Sequence, residues 1–189
     1  MSIALCKLGV PVLGVVYNPI NQELFTAIKG NGAYFNSRLI ESKASPFETM
    51  ERKMVSTEYG VTRDHISLQS KTNTITRFLN ERVRGVRALG SSALASCYVA
   101  KHSLDVFWEA GIHLWDICAA SVIVGETGGC CVNFDNNKDK DETSLMTLDL
   151  FCRKFLVVRS VEGDLEKTVE MIRDLIEPIE VEADYLFNE

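Results

Sequence analysis

Trp115-Asp116-Ile117-Cys118-Ala119-Ala120-Ser121-Val122-Ile123-Val124-Gly125-Glu126-Thr127-Gly128-Gly129 is the stretch on which the reading of this chain turns. From Ile117 to Gly125 no residue carries a charge. Small and branched apolar side chains fill that interval and Gly128-Gly129 supplies a stop, so the pattern predicts a helix over His113–Glu126 that is buried almost all round. A carboxylate in its first turn must be paired, hydrogen-bonded or metal-bound, because burying it bare costs several kcal/mol. The helix dipole and the open N–H groups of that turn favour the ionised form. Asp116 therefore reads either as a functional ligand or as a helix-start carboxylate pairing with Arg84 or Arg87.

Working outward, Leu89-Gly90-Ser91-Ser92 breaks the chain between a strand-like Val83–Arg87 and an Ala-rich helix over Ala93–Lys101. Leu104–Glu109 reads as a short strand before the buried helix and Cys130–Phe134 as another after it. Further upstream, Ser2–Lys7, Pro11–Tyr17, Glu23–Lys29 and Ala33–Asn36 are β-prone runs, joined by turns at Asn18-Pro19-Ile20-Asn21 and Gly30-Asn31-Gly32, and together predict an antiparallel meander. Lys53–Thr57 is a further strand, and Asp64 to about Arg82 suits an Asp-capped helix with Ile66, Leu68, Ile75, Phe78 and Leu79 on an irregular apolar face. Asn133–Thr147 is a polar loop, Phe155–Arg159 a last strand, and Leu165, Val169, Ile172 and Ile176 line a closing helix. Strands that first cluster and then alternate with helices predict a layered α/β domain with mixed strand directions.

The chain has 189 residues, 46% of them hydrophobic and 24% charged, the balance of a globular protein. Its formal charge of −6 provides no positive field for nucleic acid or anionic lipid. Its longest apolar stretch, Ile117–Gly125, is far short of the roughly 20 residues that span a bilayer, so neither nucleic acid nor membrane is expected as a partner. Residues 1–18 lack a basic start and a cleavage site and read as two strands rather than a signal peptide. Cys6, Cys97, Cys118, Cys130, Cys131 and Cys152 sit in apolar segments without metal-ligand spacing, which predicts a reduced, buried set and a cytoplasmic protein.

Several residues near the decisive stretch can carry chemistry. Gly90-Ser91-Ser92 at a helix start offers N–H donors and two hydroxyls suited to a phosphate or polyol, and is equally a routine N-cap. Glu109 can project toward the same opening as Asp116, against the plainer reading of a solvated edge-strand glutamate. His113, one turn before Asp116, raises a serine hydrolase built on Ser91, although no GxSxG elbow supports it. Asp139, Asp141 and Glu142 are interleaved with lysines and read as solvated loop rather than metal ligands.

The quoted stretch resembles the signature of the inositol monophosphatase family, in which Trp-Asp opens a small-residue helix ending in Gly-Gly. Gly14-Val15-Val16-Tyr17-Asn18-Pro19, Glu23-Leu24-Phe25-Thr26-Ala27, Lys29-Gly30-Asn31-Gly32-Ala33 and Arg87-Ala88-Leu89-Gly90-Ser91-Ser92-Ala93 are similar to its central strands, turn and Gly-Ser segment. The resemblance runs from about residue 1 to residue 160 and implies a layered αβαβα sandwich, commonly a homodimer. It implies hydrolysis of inositol monophosphate to inositol and phosphate by metal-activated water, with Mg²⁺ as cofactor and sensitivity to lithium. By position, Asp116 falls on a metal-ligand aspartate, Glu109 on a glutamate that binds substrate hydroxyls, and Gly90, Ser91 and Ser92 on the helix start that meets the ring. No residue is assigned as the catalytic base.

The family's other metal ligands come from an upstream glutamate and an Asp-Pro-x-Asp-Gly-Thr segment, and neither occurs in this chain. The expectation is a single family-type domain over residues 1–189, incomplete on its N-terminal side and with little or no phosphatase activity alone. Apolar strand faces such as Val12–Val16 are expected to be uncovered and to favour aggregation or a partner, either a second copy or a full-length subunit. The alternatives are a related sugar or nucleotide phosphatase, and a catalytically silent member that acts as a dimerisation or regulatory partner.

Overall fold

Period-two alternation organises the first forty residues, and its faces set the layering of the molecule. The computed structural model describes residues 1–60, 64–134, 146, 148–179 and 181. Strands β1 (Ser2–Lys7), β2 (Val10–Asn18), β3 (Glu23–Ile28), β4 (Ala33–Phe35) and β5 (Arg38–Leu39) form an antiparallel five-stranded sheet in sequential order. β6 (Ser45–Pro46) leads to β7 (Met54–Thr57), helix α1 (His65–Asn80), β8 (Gly85–Arg87), helix α2 (Ser92–Ala100) and β9 (Val106–Ala110). Helix α3 (Leu114–Glu126), β10 (Cys130–Asn133), β11 (Lys154–Val158), β12 (Val161–Glu162) and helix α4 (Leu165–Leu175) follow. The second sheet runs β10-β11-β9-β7-β8, with β7, β8 and β9 parallel and the β10 and β11 pairings antiparallel. β12 pairs in parallel with β6.

Two cores lie on opposite faces of the second sheet. Phe107, Phe155 and Val157 point toward α2, α3 and the inner face of the first sheet, joining Val16, Phe25, Ala27, Ala95, Ile117, Ala120 and Ile123. Their neighbours Val106, Trp108, Leu156 and Val158 point the other way, onto Phe78 of α1 and Val169 and Ile172 of α4. Among the described residues the layers are therefore sheet, helices, sheet, helices, the α/β architecture with mixed sheets that the pattern predicts.

The first sheet lies so close to α3 that a Cβ at Gly14 would stand 2.1 Å from the Ala119 carbonyl oxygen, so only glycine fits there. At the other end of α3, Glu126 accepts the N–H groups of Gly30 and Gly32 at 2.8 and 2.7 Å and fastens the β3–β4 turn.

The strand and helix expectations hold within a residue or two at most ends. Three departures are informative. The two-residue strands β5, β6 and β12 carry no sequence signal of their own. The buried face of α1 is Ser67, Ser70, Lys71, Thr74 and Phe78, while Ile66 and Leu79 are exposed, which corrects the apolar face expected there. Hydroxyl side chains can be buried on a helix because they bond back to its carbonyls, as Thr74 does to Ser70. The cysteines form no disulfide with one another, but Cys6 is exposed and Cys130 and Cys152 are half-buried, so the set is not uniformly buried.

The outer face of the first sheet carries Ile3, Leu5, Ile28, Tyr34 and Leu39 in exposed positions, and no described helix covers it. Exposure there falls on β1, β3, β4 and β5, while over Val12–Val16 the residues are half-buried or buried. Most of the expected polar loop, with Asp139, Asp141 and Glu142, lies outside the described residues. Among the described residues no helix is long and apolar enough to cross a membrane.

Candidate functional site

Parallel strands β7, β8 and β9 end on the same side of the second sheet, so the turns that leave them gather there. Glu58 follows β7, Leu89-Gly90 follows β8, and Glu109 stands in the last turn of β9. Helices α2 and α3 start from two of these turns and place their N-termini, with their positive dipole ends, at one opening. A cleft of about 370 Å³ is lined there by Ser91, Ala93 and Leu94 from the start of α2, Trp115 and Asp116 from the start of α3, and Met1–Ser2 and Val16–Pro19 from the first sheet.

The Gly90-Ser91-Ser92 segment is tightly organised. Gly90 takes a positive φ of 79° and its N–H, with that of Leu89, donates to Glu58 Oε1 at 2.8 and 2.6 Å. Ser91 caps α2, its Oγ accepting the Leu94 N–H at 3.4 Å, and Ser92 Oγ donates to Glu109 Oε2 at 2.6 Å. The capping role is thus present, and because a hydroxyl both donates and accepts, the cap leaves the Ser91 hydroxyl proton uncommitted to it. The Gly90 N–H, expected to face a ligand, is instead spent on Glu58.

Glu109 is 5% exposed and lies on the central strand of its sheet, which corrects the solvated edge-strand reading. Burial pushes its carboxyl up to about 7; the Ser92 hydroxyl and Lys71 oppose that rise, and the charges of Glu58 and Asp116 add to it. Asp116 is half-buried, and its Oδ2 accepts the His113 backbone N–H at 3.0 Å, closing the N-terminal turn of α3 on itself. That bond takes the place of an ion pair with Arg84 or Arg87; Arg87 donates to the Val86 carbonyl instead. The His113 ring stacks on Trp115 with centroids 4.4 Å apart and lies 3.3 Å from Arg153, while Ser91 is engaged as a cap, so Ser91, His113 and Asp116 do not assemble a hydrolase triad.

Sequence reasoning missed Glu58 and Lys71. Glu58 had a usable signal, a charged residue directly after a parallel strand, where open α/β sheets place ligand sites. Lys71 had none: its ammonium is buried and donates to the Tyr59 carbonyl at 2.6 Å, an outcome of helix packing. Among the described residues no group of three or more histidines, cysteines and acids is arranged to hold a metal ion. What is present is one carboxylate, Asp116, lining the cleft, a single hard oxygen donor of the kind that suits a divalent cation otherwise held by water.

A sheet-helix-sheet-helix stack with its cleft at the starts of the helices that leave the parallel strands places the molecule among layered α/β proteins with a site at the βα turns. More specifically, the chain belongs to the inositol monophosphatase family, whose model matches residues 1–173. It is 39% identical over 137 residues to inositol monophosphatase 2 of Saccharomyces cerevisiae, covering 69% of this chain and 47% of that protein. It is 41% identical over 130 residues to inositol monophosphatase 1 of Solanum lycopersicum, covering 68% of this chain and 46% of that one. The chain thus spans about half the length of these relatives. Its fold is similar to the crystal structure of the extragenic suppressor protein suhB from Bartonella henselae, with a TM-score of 0.73 at 29% identity over 94% of this chain and 61% of that one.

Proposed function

We propose that this chain carries the polyol-binding part and one metal ligand of a Mg²⁺-dependent inositol monophosphatase site, within one family-type domain over residues 1–189. The observation that supports this most is the cleft in which Ser91 and Asp116 share a lining, with the Ser92–Glu109 pair behind it. In this reading Asp116 holds the ion through the oxygen not committed to His113. Ser91 donates to a substrate oxygen, Glu109 accepts a ring hydroxyl beside Ser92, and Gly90 shapes the turn that presents them. The N-termini of α2 and α3 favour the phosphate dianion at the opening. When bound, the magnesium ion supplies an acidified water and offsets charge on the phosphate oxygens.

One carboxylate leaves the position of the ion to water and substrate, and in-line attack needs it held to a fraction of an ångström. The 189-residue chain alone is therefore expected to bind inositol monophosphate and release little or no phosphate. The free thiols favour a reducing, cytoplasmic setting. The uncovered apolar face of the first sheet favours a second reading, a catalytically silent member that pairs with another family subunit or a second copy.

Calorimetric titration of the chain with inositol monophosphate, with and without Mg²⁺, tests the site, with a fructose bisphosphate and a nucleotide monophosphate as comparators. Binding that strengthens with Mg²⁺ and loses that dependence in Asp116→Asn is expected. Affinity for inositol monophosphate that is the same with and without Mg²⁺, and the same in Asp116→Asn, sinks the assignment.

A further inference from the structure

β1 and α3 are held together at one end by the Ser2 hydroxyl, which donates to the Trp115 carbonyl at 3.0 Å. At the other end of the same strand, Cys6 and Cys118 bring their sulfurs to 3.4 Å across 112 residues of sequence. Cys6 is exposed and Cys118 is buried behind it. A disulfide needs its sulfurs about 2.05 Å apart, so each has less than about 1 Å to move. We propose that Cys6 and Cys118 are a reversible thiol–disulfide pair, Cys6 the entry thiol and Cys118 the resolving one, oxidised by low-molecular-weight disulfides such as glutathione disulfide.

The chemistry balances as two exchanges. The Cys6 sulfur attacks one sulfur of glutathione disulfide, the glutathione S–S bond breaks, and the departing glutathione takes the Cys6 proton. The Cys118 sulfur then attacks Cys6 in the mixed disulfide, and the second glutathione leaves with the Cys118 proton. Two protein thiols are oxidised, and one glutathione disulfide is reduced to two thiols. The remaining four cysteines do not offer the same arrangement: Cys97 and Cys131 are sealed in the core, the half-buried Cys130 packs against the core on the other face of the second sheet, and the half-buried Cys152 donates its thiol to the Lys154 carbonyl at 3.7 Å.

The bond would join the edge strand of the first sheet to the helix whose first turn carries Asp116. It closes a long loop, so the oxidised chain resists unfolding more than the reduced chain.

The test exposes the 189-residue chain to glutathione disulfide, then blocks free thiols by alkylation and maps peptides by mass spectrometry. The expected result is the loss of two of the six free thiols and a peptide pair linked through Cys6 and Cys118. A higher urea midpoint, returned to its starting value by dithiothreitol, should accompany it. Cys118→Ala should retain glutathione on Cys6, and Cys6→Ser should give neither product. A glutathione adduct that persists on Cys6 of the unaltered chain, a link between another pair, or no reaction overturns the proposal.

Discussion

Asp116 lines the cleft and Glu109 is buried behind it, and the two were unequally visible in the sequence. An aspartate followed by nine uncharged residues announces itself, because a carboxylate in such surroundings needs a partner. Nothing in the sequence around Glu109 says that β9 is the middle strand of its sheet, and strand order is what buries it. Its burial has a measurable consequence. Burial pushes the carboxyl up to about 7 in the folded chain, against 4.5 for a solvated glutamate, so between those values the folded state holds the proton more tightly than the unfolded state. Stability from this group is unimpaired below the lower value, falls as pH rises through the window, and is lowest above the upper one. Glu109→Gln keeps an acceptor for Ser92 and is expected to raise stability by about 2–3 kcal/mol at pH above 7, with little change near pH 4. Urea denaturation at the two pH values checks this, and equal gains at both would refute it. Gly14 gives a second residue-scale prediction. Its added methyl would press on the Ala119 backbone rather than on a flexible side chain, so Gly14→Ala should destabilise by about 3 kcal/mol or more, read from the denaturation midpoint.

At the scale of elements, capping was readable and the buried faces of helices were only partly so. Asp64, Ser91 and Asp164 each accept an N–H from the first turn of their helices, as short polar residues ahead of helical patterns predict. Ser91→Ala is expected to cost about 1 kcal/mol and also to weaken inositol monophosphate binding, since the same hydroxyl lines the cleft. A loss of stability with unchanged affinity would reduce Ser91 to a cap. The buried face of α1 is hidden in the sequence because its apolar residues do not share one stripe, and packing buries Ser67, Ser70 and Thr74 beside Phe78 while Ile66 and Leu79 stay exposed. The grip of Glu126 on the β3–β4 turn was likewise hidden, being a contact between segments 96 and 94 residues apart. Glu126→Ala should speed amide hydrogen exchange at Gly30 and Gly32 by at least tenfold, the equivalent of about 1.4 kcal/mol, without unfolding the second sheet.

Over the whole molecule, the register of the first sheet places Leu5, Leu13 and Ile28 in one row, and Ile3, Val15, Thr26, Tyr34 and Leu39 in the next, on the side away from α3. Ile3, Leu5 and Ile28 are each more than half exposed, at 51%, 58% and 52%. Contiguous apolar surface of this kind drives association. Leu5→Lys combined with Ile28→Lys should shift the chain toward monomer in sedimentation velocity while leaving its circular dichroism unchanged; an unaltered distribution would refute association through this face. Composition, periodicity and the uncharged run after Asp116 were enough to determine the order of the longer strands and helices, the layered α/β class, and Asp116 as the sharpest candidate. Those properties follow from local spacing, which the chain writes along itself. Only the tertiary structure decided that β9 lies at the centre of its sheet, that Glu58 occupies the Gly90 N–H, that Lys71 is buried beside the site, and that Cys6 meets Cys118. Each of these joins segments distant in sequence, and such meetings are set by strand order and close packing rather than by the pattern of any one segment.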